Sequence, residues 1–138
     1  MHRIFAESML RITLGVIFFA HGASKWERGL DQVSGWFESI GLPGFLAYIV
    51  AWVELAGGLL LIVGVAVRIV SWAFAIIMVG ALMKVKLAFG LLGNGETEGY
   101  ELDLALLAIS LYLAVQGKDI FTEYKDFLHK KLSKPSTK

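Results

Sequence analysis

The sequence predicts an all-α integral membrane protein, a bundle of four spanning helices with both termini cytoplasmic. Three observations carry that prediction. Of 138 residues, 57% are hydrophobic and 18% charged, with mean hydropathy +0.66, more apolar than a water-soluble domain of this length supports. Four apolar segments recur along the chain, and because one spanning helix takes about 20 apolar residues, four take roughly 80 to 90 positions. What is left over amounts to a loop or two and a tail, which is too little for a soluble catalytic domain. The bulk numbers also exclude function classes. A net charge of +1 provides no basic surface for nucleic acid. Cysteine is absent, which removes disulfide exchange, thiolate nucleophiles and any Cys-ligated centre, so a redox role has to use a bound molecule.

The first segment, about 5–22, carries Arg11 at a depth where a spanning helix needs a partner for a charge. Glu7 and Arg11 interrupt the basic and apolar regions that a cleaved signal peptide would have, so the segment reads as a retained helix. Residues 24–43 are polar but hold Trp26, Trp36 and Phe37, a pattern that predicts a short helix lying in the headgroup layer, ended by Gly41, Pro43 and Gly44. The second segment, about 45–66, has one acid, Glu54, among small residues (Ala51, Gly57, Gly58) that permit close helix contact. Almost no loop separates it from the third segment, about 69–89, so the two should form a tight antiparallel hairpin. Residues 90–99 contain four glycines and read as a flexible turn. The fourth segment, about 100–116, is short for a full span.

Residues 1–117 therefore form the bundle domain, and 118–138 a tail. In the tail, Ile120, Phe121, Tyr124, Phe127, Leu128 and Leu132 recur near helical spacing, with Lys130, Lys131, Lys134 and Lys138 behind them. That pattern predicts an amphipathic helix resting on anionic lipid. Arg3, Arg68 and the tail lysines fall on one side of the membrane, which puts both termini in the cytoplasm; Lys25, Arg28, Lys84 and Lys86 on the other side weaken the bias.

The charges inside the spans are the candidate site. At about 100° per residue, Glu7, His21 and Lys25 fall on the same side of the first helix as Arg11. An unpaired charge costs roughly 2.5 to 3.5 kcal/mol at a helix centre on insertion scales, so this face should look into the bundle, where Glu54 is the natural counter-ion of Arg11. His21, Lys25, Lys84, Lys86, Glu101 and Asp103 fall toward the outer half and outline a polar pocket open outward. Lys84 and Lys86, two residues apart, should point in nearly opposite directions, so at most one faces it. The same charges would serve equally as structural ion pairs that fix helix register. Glu101 and Asp103 would stabilise a helix N-terminus, and His21 would make an ordinary hydrogen bond.

Motifs for other chemistries are missing. The glycines at 90, 93 and 95 do not form the dinucleotide fingerprint and follow no strand. His21 is the one histidine at membrane depth, which disfavours haem, and no histidine pair suggests zinc.

The succession of Arg11, then His21-Gly22-Ala23-Ser24-Lys25, then Gly41-Leu42-Pro43, then Glu54-Leu55-Ala56-Gly57-Gly58 through Gly64 to Arg68, and finally Gly117-Lys118-Asp119, resembles the DoxX family of small membrane proteins, and within it the CatD-like branch. The resemblance spans nearly the whole chain, its Lys-rich tail excepted. It implies a four-helix membrane bundle in a bacterial plasma membrane and an oxidoreductase activity, in some relatives with quinone as electron acceptor. It also implies ties to oxidative stress and to catechol or quinone resistance.

On this basis Glu54, Arg11 and His21 are the expected catalytic groups, and Lys25, Lys84 and Glu101 the expected substrate-binding ones, with a non-covalently bound quinone as the ligand. Two other readings stay open at this point. One is a non-catalytic scaffold that docks a soluble redox partner through its tail; the other is a small carrier, for which a homodimer would supply eight helices.

Overall fold

The computed structural model describes residues 2–96 and 98–132, and all of its regular structure is helical. Six α-helices follow one another: α1 (His2–Arg28), α2 (Leu30–Ser39), α3 (Phe45–Val63), α4 (Val67–Ala81), α5 (Glu101–Gln116) and α6 (Ile120–Leu132). Three helical stretches are long and apolar enough to cross a membrane: Ile4–Arg28, Phe45–Val63 and Val67–Phe89. A fourth span is reached if α5 and α6, bent by 48° at their junction, count as one.

The first helix runs past Gly22, where the sequence suggested an end, to Arg28. Gly22 is a packing residue and not a stop: a Cβ there would sit 2.7 Å from the backbone nitrogen of Leu55. Gly15 and Gly58 likewise bring α1 and α3 into backbone contact, since a Cβ on Gly58 would lie 2.6 Å from the nitrogen of Phe19. Gly57 faces the other way, onto Val70 and the Phe74 ring of α4. The close helix contact expected of Gly57 and Gly58 is thus made within the chain.

The second span ends at Val63, three residues before the expected boundary. Gly64 adopts φ +87°, and the amides of Gly64 and Val65 both return to the carbonyl of Leu60, closing a Schellman-type cap. Ala66, also left-handed at φ +51°, starts α4 at once. This tight turn makes the predicted hairpin of α3 and α4. Beyond Ala81 the helix widens into a π turn over Leu82–Lys86 and then tightens into a 3₁₀ turn over Leu87–Phe89.

Packing is strongest between α1 and α3 and between α4 and α5. The two pairs meet along Leu14, Phe18, Leu61, Val70, Phe74 and Leu113, with the Phe18 and Phe74 rings stacked at 3.7 Å between centroids. One end of the bundle is bolted together. Asp119 Oδ1 accepts from the Val67 amide, the Ile120 amide donates to the Gly64 carbonyl, and Arg68 Nε donates to the Ala114 carbonyl. The start of α1 joins them, because the Tyr112 hydroxyl reaches Glu7 at 3.5 Å. The beginning of α1 and the end of α5 therefore lie at the same end of the bundle. Lys134 and Lys138, expected behind α6, lie outside the described residues.

Candidate functional site

At the opposite end the two helix pairs part around a cavity of about 660 Å³. Its floor includes Phe18, and its polar walls bring together His21 and Lys25 from α1, Glu54 from α3, Lys84 and Lys86 from the π turn, and Glu101 and Asp103 from the first turn of α5. Five of the six candidate residues thus share one cavity. Arg11 is the exception.

Glu54 is the central residue of α3 and only 3% exposed. Its Oε2 accepts from Lys25 Nζ at 2.5 Å. The expected pairing of Glu54 with Arg11 is therefore incorrect. The register of α1 on α3 explains why. Gly22 abuts Leu55 and Gly15 abuts Gly58 and Ile62, so antiparallel packing brings Lys25 to the level of Glu54 and carries Arg11 down to Gly64. There the Arg11 guanidinium lies against Gly64, in a narrow crevice shared with Glu7, Ser8, Val67, Leu113 and Glu123. Its positive charge faces the C-terminal end of the α3 dipole, which favours a cation. Arg11 Nε has no hydrogen-bond partner among the described residues. Arg11 belongs to the bolted end, not to the cavity.

His21 turns Nδ1 toward the carbonyl of Ile17, 2.8 Å away. A carbonyl only accepts, so Nδ1 is the donor in this contact and Nε2 is the nitrogen left for other partners. Lys84 and Lys86 both line the cavity, contrary to the expectation that at most one would. They leave the helix where it unwinds through the π turn, and their four-carbon stems let the ammonium groups reach round the backbone. Lys86 also stands 4.0 Å from the carboxylate of Glu98, a pair exposed on the acid's side and therefore weak.

Two contributors escaped the sequence reading. Trp36 and Phe37 were expected in the headgroup layer; both line the cavity, with Phe37 only 7% exposed, beside Ile40 and Leu42. The signal was present in the recurrence of Val33, Phe37 and Ile40 at helical spacing, which gives this short helix an inward face. The helix itself begins at Leu30, later than expected, since Ser24–Arg28 completes α1; the Tyr48 hydroxyl, donating to Asp31 at 2.5 Å, ties it to α3.

Chemically, the cavity combines a long apolar wall with four carboxylates (Glu54, Glu98, Glu101 and Asp103), three ammonium groups and an imidazole. That combination binds and exchanges protons with a largely apolar molecule bearing a few oxygens. No cluster of three or more His, Cys, Asp or Glu residues suited to a metal occurs among the described residues.

Comparison with known proteins places this site in context. The family model described as DoxX matches residues 6–87, a stretch that includes Arg11, His21, Lys25, Glu54 and Lys84 but stops before α5. A Bacillus subtilis protein described as "putative oxidoreductase CatD" is 44% identical over 109 residues, covering 79% of this chain and 77% of that protein. A Mycobacterium tuberculosis protein described as an uncharacterized membrane protein is 29% identical over 138 residues, covering 93% of this chain and 82% of its own. No solved structure matches. With its apolar helices and these relatives, the chain is a multi-pass bacterial membrane protein that belongs to the DoxX family.

Proposed function

We propose that the protein is a quinone-linked membrane oxidoreductase, or the membrane subunit of one, acting on quinones or catechols in oxidative-stress or quinone detoxification. The observation that carries this reading is the cavity whose polar end is the Lys25–Glu54 pair with His21 beside it. The relation to the protein described as a "putative oxidoreductase" supports it.

Interconversion of a quinone and its hydroquinone moves two electrons and two protons. In this reading Lys25 donates a hydrogen bond to one ring oxygen, and Glu54 and the free Nε2 of His21 exchange protons with the ring oxygens. Lys84 and Glu101 orient the polar groups at the cavity mouth. Arg11 has no part in these steps and acts as a brace for the α3–α4 turn. The electrons come from a separate donor, a soluble redox partner being the simplest source.

The same reading takes α5 as the fourth span and both termini as cytoplasmic, with α2 close to the outer headgroups. The tail helix α6 then rests on anionic lipid. Its Ile120, Phe121, Tyr124, Phe127 and Leu132 are all exposed and share one side, and Lys130 and Lys131 follow in the last turn.

The test is extraction of the purified protein from its membrane, followed by mass spectrometry and absorbance of what stays bound. A quinone or catechol retained by the parent and lost in Glu54→Gln is expected. An empty protein, equally folded in both forms, would instead favour a scaffold that docks an enzyme through α6.

A further inference from the structure

Building on the reading of the cavity as a quinone site, we propose that its substrate is a lipid-dissolved quinone with a long apolar tail, which enters sideways through a window between α3 and α4 bordered by Gly80. The cavity does not end at the polar cluster. It continues along Leu46 and Val50 of α3 and Ile76, Ile77 and Gly80 of α4. At about 100° per residue, these α4 positions run from the side that meets α3, marked by Val70 against Gly57, round to the outer surface, where Ile76 is 70% exposed. The cavity therefore wraps the edge of α4 and reaches the outside of the bundle.

The depth of this opening determines what can use it. Glu54 is the middle residue of a 19-residue helix about 28 Å long, and Val50, beside the window, is one turn or about 6 Å from it and five residues inside the helix end, a depth that faces hydrocarbon and not water. The packing of α4 differs along its length. At the turn it shares with α3, Gly57 lets Val70 and Phe74 close against α3, whereas near the window α4 presents Gly80, where an added Cβ would meet no atom within 4 Å. The size points the same way. A cavity of about 660 Å³ lies within the range that buries a whole drug-sized ligand, far more than one ring requires. A ring's oxygens are satisfied by Lys25, Glu54 and His21 at one end, which leaves the apolar wall for a tail leading out past Gly80.

Because Gly80 borders open space, bulk there narrows the window without disturbing the packing around it, and Gly80→Phe tests the proposal with Gly80→Ala as control. The probes are a tail-less methylated benzoquinone and the same ring carrying a decyl tail. Retention of each is measured in lipid nanodiscs containing the protein and corrected with protein-free discs. The parent should hold the tailed probe about tenfold or more tighter, and Gly80→Phe should lose that advantage while changing tail-less binding less than about twofold. An unchanged tailed affinity in Gly80→Phe, or an equal loss for both probes, would overturn the window. A parent that binds the tail-less probe without preferring the tail defeats the window and leaves the quinone reading standing. A parent that binds neither defeats both.

Discussion

Lys25 Nζ lies 2.5 Å from Glu54 Oε2, joining the C-terminal end of α1 to the middle of α3, and the two partners are unequally buried. The Glu54 side chain is 4% exposed and that of Lys25 21%, so the carboxylate depends on the ammonium more than the reverse. Breaking a buried pair from one side costs about 3–5 kcal/mol, because the remaining charge is left without compensation. Lys25→Met should therefore lower the unfolding temperature in detergent more than Glu54→Gln, since the freed Lys25 can turn toward the cavity mouth. The double variant should recover much of the loss, and additive losses would show that the two residues are not coupled.

The glycines between α1 and α3 predict a steep size dependence. A Cβ on Gly58 would meet the Phe19 nitrogen at 2.6 Å, which is backbone and cannot yield without the helices separating. Gly58→Ala should cost about 1–3 kcal/mol or more in thermal unfolding, as overpacking does. Gly80→Ala, in open space on α4, should stabilise by up to about 1 kcal/mol through helix propensity.

Gly64 and Arg11 should behave as one unit. Gly64→Ala places a methyl group in a left-handed conformation and into the Arg11 guanidinium, a combined strain of about 1–3 kcal/mol. Arg11→Met clears the space, so the two substitutions together should cost less than their sum when melting temperatures are compared.

Asp119 caps a helix 52 positions earlier in the chain by accepting the Val67 amide at 2.8 Å. Asp119→Ala should cost about 1 kcal/mol and speed hydrogen exchange at Val67, whereas Asp119→Asn should keep most of the protection. Exchange at Val67 that is unchanged in Asp119→Ala would rule out the cap.

The sequence by itself determined the solvent and the secondary structure of this protein. The long apolar run of α3, broken by the single acid Glu54, could only be buried or in lipid, and the recurrence of Glu7, Arg11, Leu14, Phe18 and Gly22 gave α1 a single inward face. That ionisable groups at membrane depth turn inward was also legible, but not which of them share the cavity: Arg11 was expected there and lies at the other end.

Tertiary structure decided which charges meet. Pairing across antiparallel helices depends on register, and register is set by a few backbone contacts, Gly15 on Gly58 and Gly22 on Leu55, that no periodicity reveals. Those contacts gave Glu54 to Lys25 and sent Arg11 to the far end. Tertiary structure also brought Trp36 and Phe37 into the cavity, because an amphipathic helix of ten residues fits a membrane surface and a bundle mouth equally well until its neighbours are in place.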